Sequence, residues 1–186
     1  MLNQMVYKLF LMVLFNQNQN HPLLIYKTMH HLYRKQEITA SIDKTWEFFT
    51  DPANLKRITP DFMGFDIQSF SGQRDIHAGQ IITYKVRPIL NIPLQWVTEI
   101  THVRQPYFFV DEQRWGPFLF WHHKHYQQPT TDGNVELIDS VHYKVFYGFA
   151  GNLINQWVVR KRLEHIFDYR TKVIGEIFGV PEKESI

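Results

Sequence analysis

The sequence contains no cysteine. That excludes disulfides, thiolate zinc sites and thiol nucleophiles, and it fits a reducing compartment, so the expected location is the cytoplasm. Charge of one sign is scarce as well, with 20 Lys and Arg against 18 Asp and Glu and a formal net charge of +2. Binding to a phosphate backbone needs a strong basic excess, so no nucleic-acid partner is expected. The run Arg160-Lys161-Arg162 reads as the solvated face of a helix. Long hydrophobic runs are missing too. The stretch "MVYKLFLMVLF", Met5 to Phe15, is broken by Lys8 and falls short of the roughly 20 residues a membrane span needs, so no stable membrane insertion is expected. "NQNQNHP" follows where a signal peptide would carry small residues for cleavage. Glycine-rich phosphate loops, a dinucleotide fingerprint and a Ser-His-Asp nucleophile pattern are absent, so ATP and NAD chemistry are not expected and no cofactor is assigned.

What the chain does have is aromatic residues, 15 Phe, 9 Tyr and 5 Trp among 186. This length suits one domain, which buries about 70% of its unfolded surface. Residues 1–28 read as an N-terminal extension or as sequence upstream of a true start at Met29, residues 29–180 as the domain, and 181–186 as a tail.

The pattern of elements begins with a strand, "YRKQEITA" from Tyr33. Ser41 and Asp43 can cap a helix carrying Trp46 and Phe49. Asp51-Pro52 supplies a cap and a first-turn proline for a second short helix with Leu55 and Ile58. Six strand-like runs with short connections follow, from Phe65, Gly79, Pro93, Tyr107, Gly116 and Asn134, and short connections imply antiparallel pairing. From Gly148 to Phe178 the period becomes helical, with Leu153, Trp157, Leu163, Ile166, Phe167, Ile174 and Ile177 on an apolar stripe and Arg and Lys on the polar face. The expected fold is α+β: a curved antiparallel seven-stranded sheet with two short helices between strands 1 and 2, gripping a long C-terminal helix.

That order resembles the helix-grip fold of the START-related SRPBCC superfamily, to which the birch pollen allergen belongs. Four strings are similar to a bacterial ligand-binding branch described as polyketide cyclase/dehydrase-like: "WEFFTDPANLKRITP" from Trp46, "IPLQWVTEI" from Ile92, "FVDEQRWGPFLFWHHKH" from Phe109 and "RLEHIFDYR" from Arg162. The resemblance covers about Tyr33 to Gly179. It implies an enclosed, largely apolar pocket between sheet and long helix, but no defined chemistry. Gln127 departs from it, standing where that branch usually has Phe.

The run "GPFLFWHHKHYQ", Gly116 to Gln127, concentrates the polar chemistry. Alternation along a strand puts Leu119, Trp121, His123 and His125 on one face, and Phe118, Phe120, His122, Lys124 and Tyr126 on the other. Lys124 would be costly inside, so the first set is expected to face the concave side. A loop centred on Pro117 sets Gln113 opposite Trp121 and Asp111 opposite His123, and one centred on Thr131 sets Asp139 opposite His123 from the other side. His123 between two carboxylates is favoured in its charged form and can hold or move a proton, although a satisfied polar ladder in the pocket wall explains the same trio. A metal is not expected: Lys124 occupies the position where a cupin-like motif begun at Gly116 and His122 would need its second histidine.

The leading expectation is a binder of a hydrophobic or aromatic small molecule, a lipid, quinone or polyketide-like compound. Trp96, Gln113, Trp121, His125, Tyr84, Tyr143 and Phe167 are the expected contacts. The alternatives are a cyclase/dehydratase-type enzyme using His123, Asp111 and Asp139, and a protein-interaction module using exposed aromatics such as Trp115 and Phe118. The oligomeric state is left open.

Overall fold

A computed structural model of the protein describes residues 29–88, 92–146 and 155–182. Leu153, on the expected stripe, and the segment 1–28 lie outside the described residues. Strand β1 (His30–Ile38) is followed by helices α1 (Ile42–Thr50) and α2 (Pro52–Arg57) and a single 3-10 turn (Asp61–Met63). Six strands come next, β2 (Asp66–Phe70), β3 (Ile81–Val86), β4 (Leu94–Arg104), β5 (Phe108–Trp115), β6 (Phe120–Pro129) and β7 (Val135–Lys144), and then helix α3 (Arg160–Phe178). The strands form one antiparallel sheet in the order β1-β7-β6-β5-β4-β3-β2.

Local chemistry starts and stops these elements where the expected signals stand. The Ser41 hydroxyl accepts from the Lys44 amide at the start of α1, and the Asp51 carboxylate accepts from the Ala53 amide ahead of Pro52, satisfying donors that a first turn leaves orphaned. β1 begins at His30, three residues before Tyr33, because its whole length finds a partner in β7 (His30 opposite Tyr143, Ile38 opposite Val135). Helix α3 begins only at Arg160, after a wide π-type turn over Asn155–Val159. Trp157 is 69% exposed, which corrects its place on the stripe. Six residues from Leu163 at about 100° per residue lands roughly 120° off the apolar face.

α3 lays Leu163, Phe167, Arg170, Ile174 and Phe178 toward the sheet. Three apolar clusters result. One joins α1 to β3, β4 and β5 around Trp46, Ile82, Tyr84 and Ile100. A second joins β6 and β7 to the first half of α3 around Trp121, Val141 and Phe167, and a third joins β1 to the last half around Ile38, Ile174 and Phe178.

Candidate functional site

β5, β6 and β7 are neighbours at the centre of the sheet, and their inward polar residues meet under α3. Asp111 pairs with His123 as expected. The β6–β7 pairing places His125, not His123, directly opposite Asp139, and Val141 opposite His123. The expected register was off by two because the loop centres on Asp132. A two-residue error keeps every side chain on its face, so Asp139 still reaches His123 diagonally.

The result is a compact array of four groups. His123 Nε2 lies 2.8 Å from Asp139 Oδ1, and His123 Nδ1 lies 3.3 Å from Asp111 Oδ2. His125 Nε2 lies 2.8 Å from the same Asp111 oxygen, and His125 Nδ1 lies 3.1 Å from Asp139 Oδ1. The two rings are 3.7 Å apart between centroids. Two further donors complete the array: Trp121 Nε1 donates to Asp111 Oδ1 (3.3 Å) and Arg170 Nη1 donates to Asp139 Oδ1 (3.4 Å).

Burial alone would raise both carboxyls. For Asp111 the charge of His123 and hydrogen bonds from both histidines outweigh burial and hold it well below the usual carboxylate range. For Asp139 the Arg170 charge leads, followed by hydrogen bonds from the two histidines. His123 is 4% exposed, and burial would lower its pKa, but the charges and hydrogen bonds of Asp111 and Asp139 raise it. Tyr84 is pushed up by burial, with Asp111 adding to the effect. This is the usual arithmetic of a buried ion network: each charge is tolerated only because its partners are present.

Arg170 is the member that the sequence reading missed, since Arg and Lys were all assigned to the polar face of the helix. It is 8% exposed. Its position was the available signal, because it falls on the periodicity of Leu163, Phe167 and Ile174.

Three groups of the array, Asp111, His123 and His125, line a cavity of about 280 Å³ between sheet and helix. Arg170 lines it too, with Trp96, Trp121, Tyr84 and Phe167, and the remainder is mostly apolar, including Leu55, Met63, Ile82, Ile100 and Ile166, with Thr98 and Arg162 among the further polar members. Trp96 and Trp121 meet edge to face at 5.2 Å. Asp139 sits behind the histidines, against a second, smaller space of about 30 Å³ that His125, Gln127 and Arg170 also line.

Two expected contacts lie elsewhere. Tyr143 is buried behind Phe118 and Trp121 and is not on the cavity lining. The Gln113 side chain closes the β5–β6 turn, donating to Phe118 O (2.7 Å) and accepting from Phe118 N (3.2 Å). That clasp also explains a correction to the alternation: β6 begins only at Phe120, so Phe118 turns inward onto the cavity while Leu119 is 49% exposed. His122 faces outward, 2.8 Å from Glu112. Gln127 is buried and accepts from the Thr45 hydroxyl (2.6 Å), tying β6 to α1.

No family model and no curated protein matches the chain. Solved structures do. TTHA0849 from Thermus thermophilus superposes with a TM-score of 0.61 at 13% identity, covering 79% of this chain and 95% of that one. Norcoclaurine synthase from Thalictrum flavum gives 0.59 at 14% identity, over 86% and 95%. The ginseng major latex-like protein 151 from Panax ginseng gives 0.58 at 12%, over 82% and 99%. With its seven-stranded curved sheet, paired short helices and long C-terminal helix, the chain has the helix-grip fold, which these structures share.

Proposed function

We propose that the protein binds a hydrophobic or aromatic small molecule in the cavity between sheet and α3. The observation that carries this reading is the unfilled, mostly apolar-walled space of about 280 Å³ with a few polar groups on its lining, among them Asp111, His123, His125 and Arg170, the usual form of a small-molecule site. Size narrows the class. A cavity of about 150 Å³ takes a benzene ring, so this one suits two fused rings or a short branched chain, as in a small quinone or a bicyclic polyketide-like compound. A ligand oxygen suits this lining, because Arg170 lines the cavity and its buried Nε has no hydrogen-bond partner among the described residues, and an unpaired buried donor is costly. The interaction-module alternative draws less support, since Phe118 lines the cavity. Trp115, however, is exposed.

A thermal-shift screen of naphthoquinones, naphthols, medium-chain fatty acids and sterols tests the reading. Two-ring oxygenated compounds should raise the melting temperature in proportion to the logarithm of their concentration, and sterols should not. A panel without a single shift would sink it.

A second reading, acid/base catalysis of the cyclase/dehydratase type, is favoured by one observation: Asp111, His123 and His125 open onto the cavity. Norcoclaurine synthase shares the fold, so a helix-grip cavity is compatible with catalysis. His123, held by Asp139 through Nε2, would give or take the proton of a carbonyl substrate through Nδ1, once the substrate replaces the looser 3.3 Å contact of that nitrogen with Asp111.

A further inference from the structure

Two histidines and a carboxylate crowd together where the array lines the cavity, the rings 3.7 Å apart between centroids. Each of the four imidazole nitrogens of His123 and His125 stands 2.8–3.3 Å from a carboxylate oxygen. A neutral imidazole has one N–H and one lone pair. With Nε2–H on both rings, His123 donates to Asp139 Oδ1 and His125 to Asp111 Oδ2, each at 2.8 Å; with both rings donating to Asp139 instead, the His123 Nδ1 and His125 Nε2 lone pairs converge with Asp111 Oδ2 into one set of donors for a cation.

We infer that Asp111, His123 and His125 form a binding site for a divalent transition metal, zinc being the best fit. One donor atom from each residue lies within 4.8 Å of the other two. A tetrahedral zinc ion with bonds of 2.0–2.1 Å places its ligand atoms about 3.3 Å apart, and the Asp111 Oδ2 to His123 Nδ1 distance is 3.3 Å. The Asp111 Oδ2 to His125 Nε2 distance, 2.8 Å, must open by about half an ångström.

The surroundings select this side of the histidines. On the opposite side the Arg170 guanidinium donates to Asp139 Oδ1 and would repel a dication. On the Asp111 side Trp121 Nε1 occupies Oδ1, leaving Oδ2 for the metal. Asp139 then accepts the far N–H of both histidines, fixing their tautomers, the role an outer carboxylate has in zinc centres. All three ligands line the cavity, so the fourth position faces it, open to water or to an oxygen of a bound molecule. Three protein ligands with one open position is the pattern of a zinc ion available for chemistry. The site does not depend on the cavity taking an apolar ligand: a metal can bind where every organic compound fails, and the reverse.

The test loads the full-length, chelator-treated protein with cobalt(II) and titrates zinc against it. One cobalt per chain with the strong visible bands of a four-coordinate ion, displaced by zinc, is expected. X-ray absorption of the zinc-loaded wild type should show two imidazole rings and oxygen ligands, a readout that needs no variant. His125→Ala should abolish binding, and Asp139→Asn should weaken it about 10- to 100-fold. His122→Gln, on the outer face, should leave it unchanged. Absence of binding by the folded wild type, or binding that survives His125→Ala because it uses the stacked outer-face pair His31 and His142, would overturn the assignment.

Discussion

Arg170 brings a full charge onto a helix face otherwise made of Leu163, Phe167, Ile174 and Phe178. Its guanidinium stacks 5.1 Å over the Phe167 ring and donates to Asp139. Removing one member of a buried ion group leaves the others uncompensated, typically at a cost of 3–5 kcal/mol. Here the two histidines still serve Asp139, so Arg170→Met should cost on the order of 3 kcal/mol in denaturant unfolding of the metal-free protein. Arg160→Met, which deletes an exposed pair with Glu164 one turn away, should cost less than about 1 kcal/mol. Equal costs for the two variants would mean that the array is solvated. The same pair of arginines shows what a sequence reveals. Trp96, Trp121 and Phe167 were legible as inward-facing from period alone. A buried arginine was not, because its burial depends on Asp139, which lies 31 residues away in the chain and becomes its partner only once β7 is beside β6.

At the scale of elements, the β5–β6 turn determines which histidine is inside. Gly116 has φ 154°, and a Cβ there would lie 2.5 Å from Gln113 Oε1, an atom held in place by its bond from Phe118 N. Gly116→Ala should therefore lose about 1–3 kcal/mol through backbone strain and a broken clasp. A one-residue slip in this hairpin would exchange His123 with His122 and dismantle the site. A Gly116→Ala variant as stable as wild type would show that the turn relaxes freely. Strand existence, pairing and the caps were all readable, since alternation and cap chemistry are local. The β6–β7 register was not, because "QPTTDGN" has no unique centre: its turn closes through Thr130 N to Asn134 O, a choice made by the pairing on either side. The start of α3 was likewise hidden, since a π-type turn breaks the 3.6-residue period on which the reading depends.

For the molecule as a whole, the three apolar clusters of described residues span both ends of the sheet and the full length of α3. β1 enters that core from His30. We expect a chain truncated to begin at Met29 to melt within a few degrees of the full-length protein, since dispensable termini bury little. Loss of cooperative unfolding would show that residues 1–28 contribute to the core.

The claim that unites these scales is that the space between sheet and helix is a binding site and not a packing defect. Ile166 lines it from α3, and Ile166→Trp should push an indole into the space that a two-ring ligand needs. Denaturant unfolding of wild type and Ile166→Trp, each with and without the strongest two-ring compound from the thermal-shift screen, tests that claim most directly. At 100 times its dissociation constant for the wild type, the compound should add about 2.7 kcal/mol to the wild type and far less to the obstructed variant. Equal stabilisation of both proteins would place the ligand outside the cavity and contradict the account.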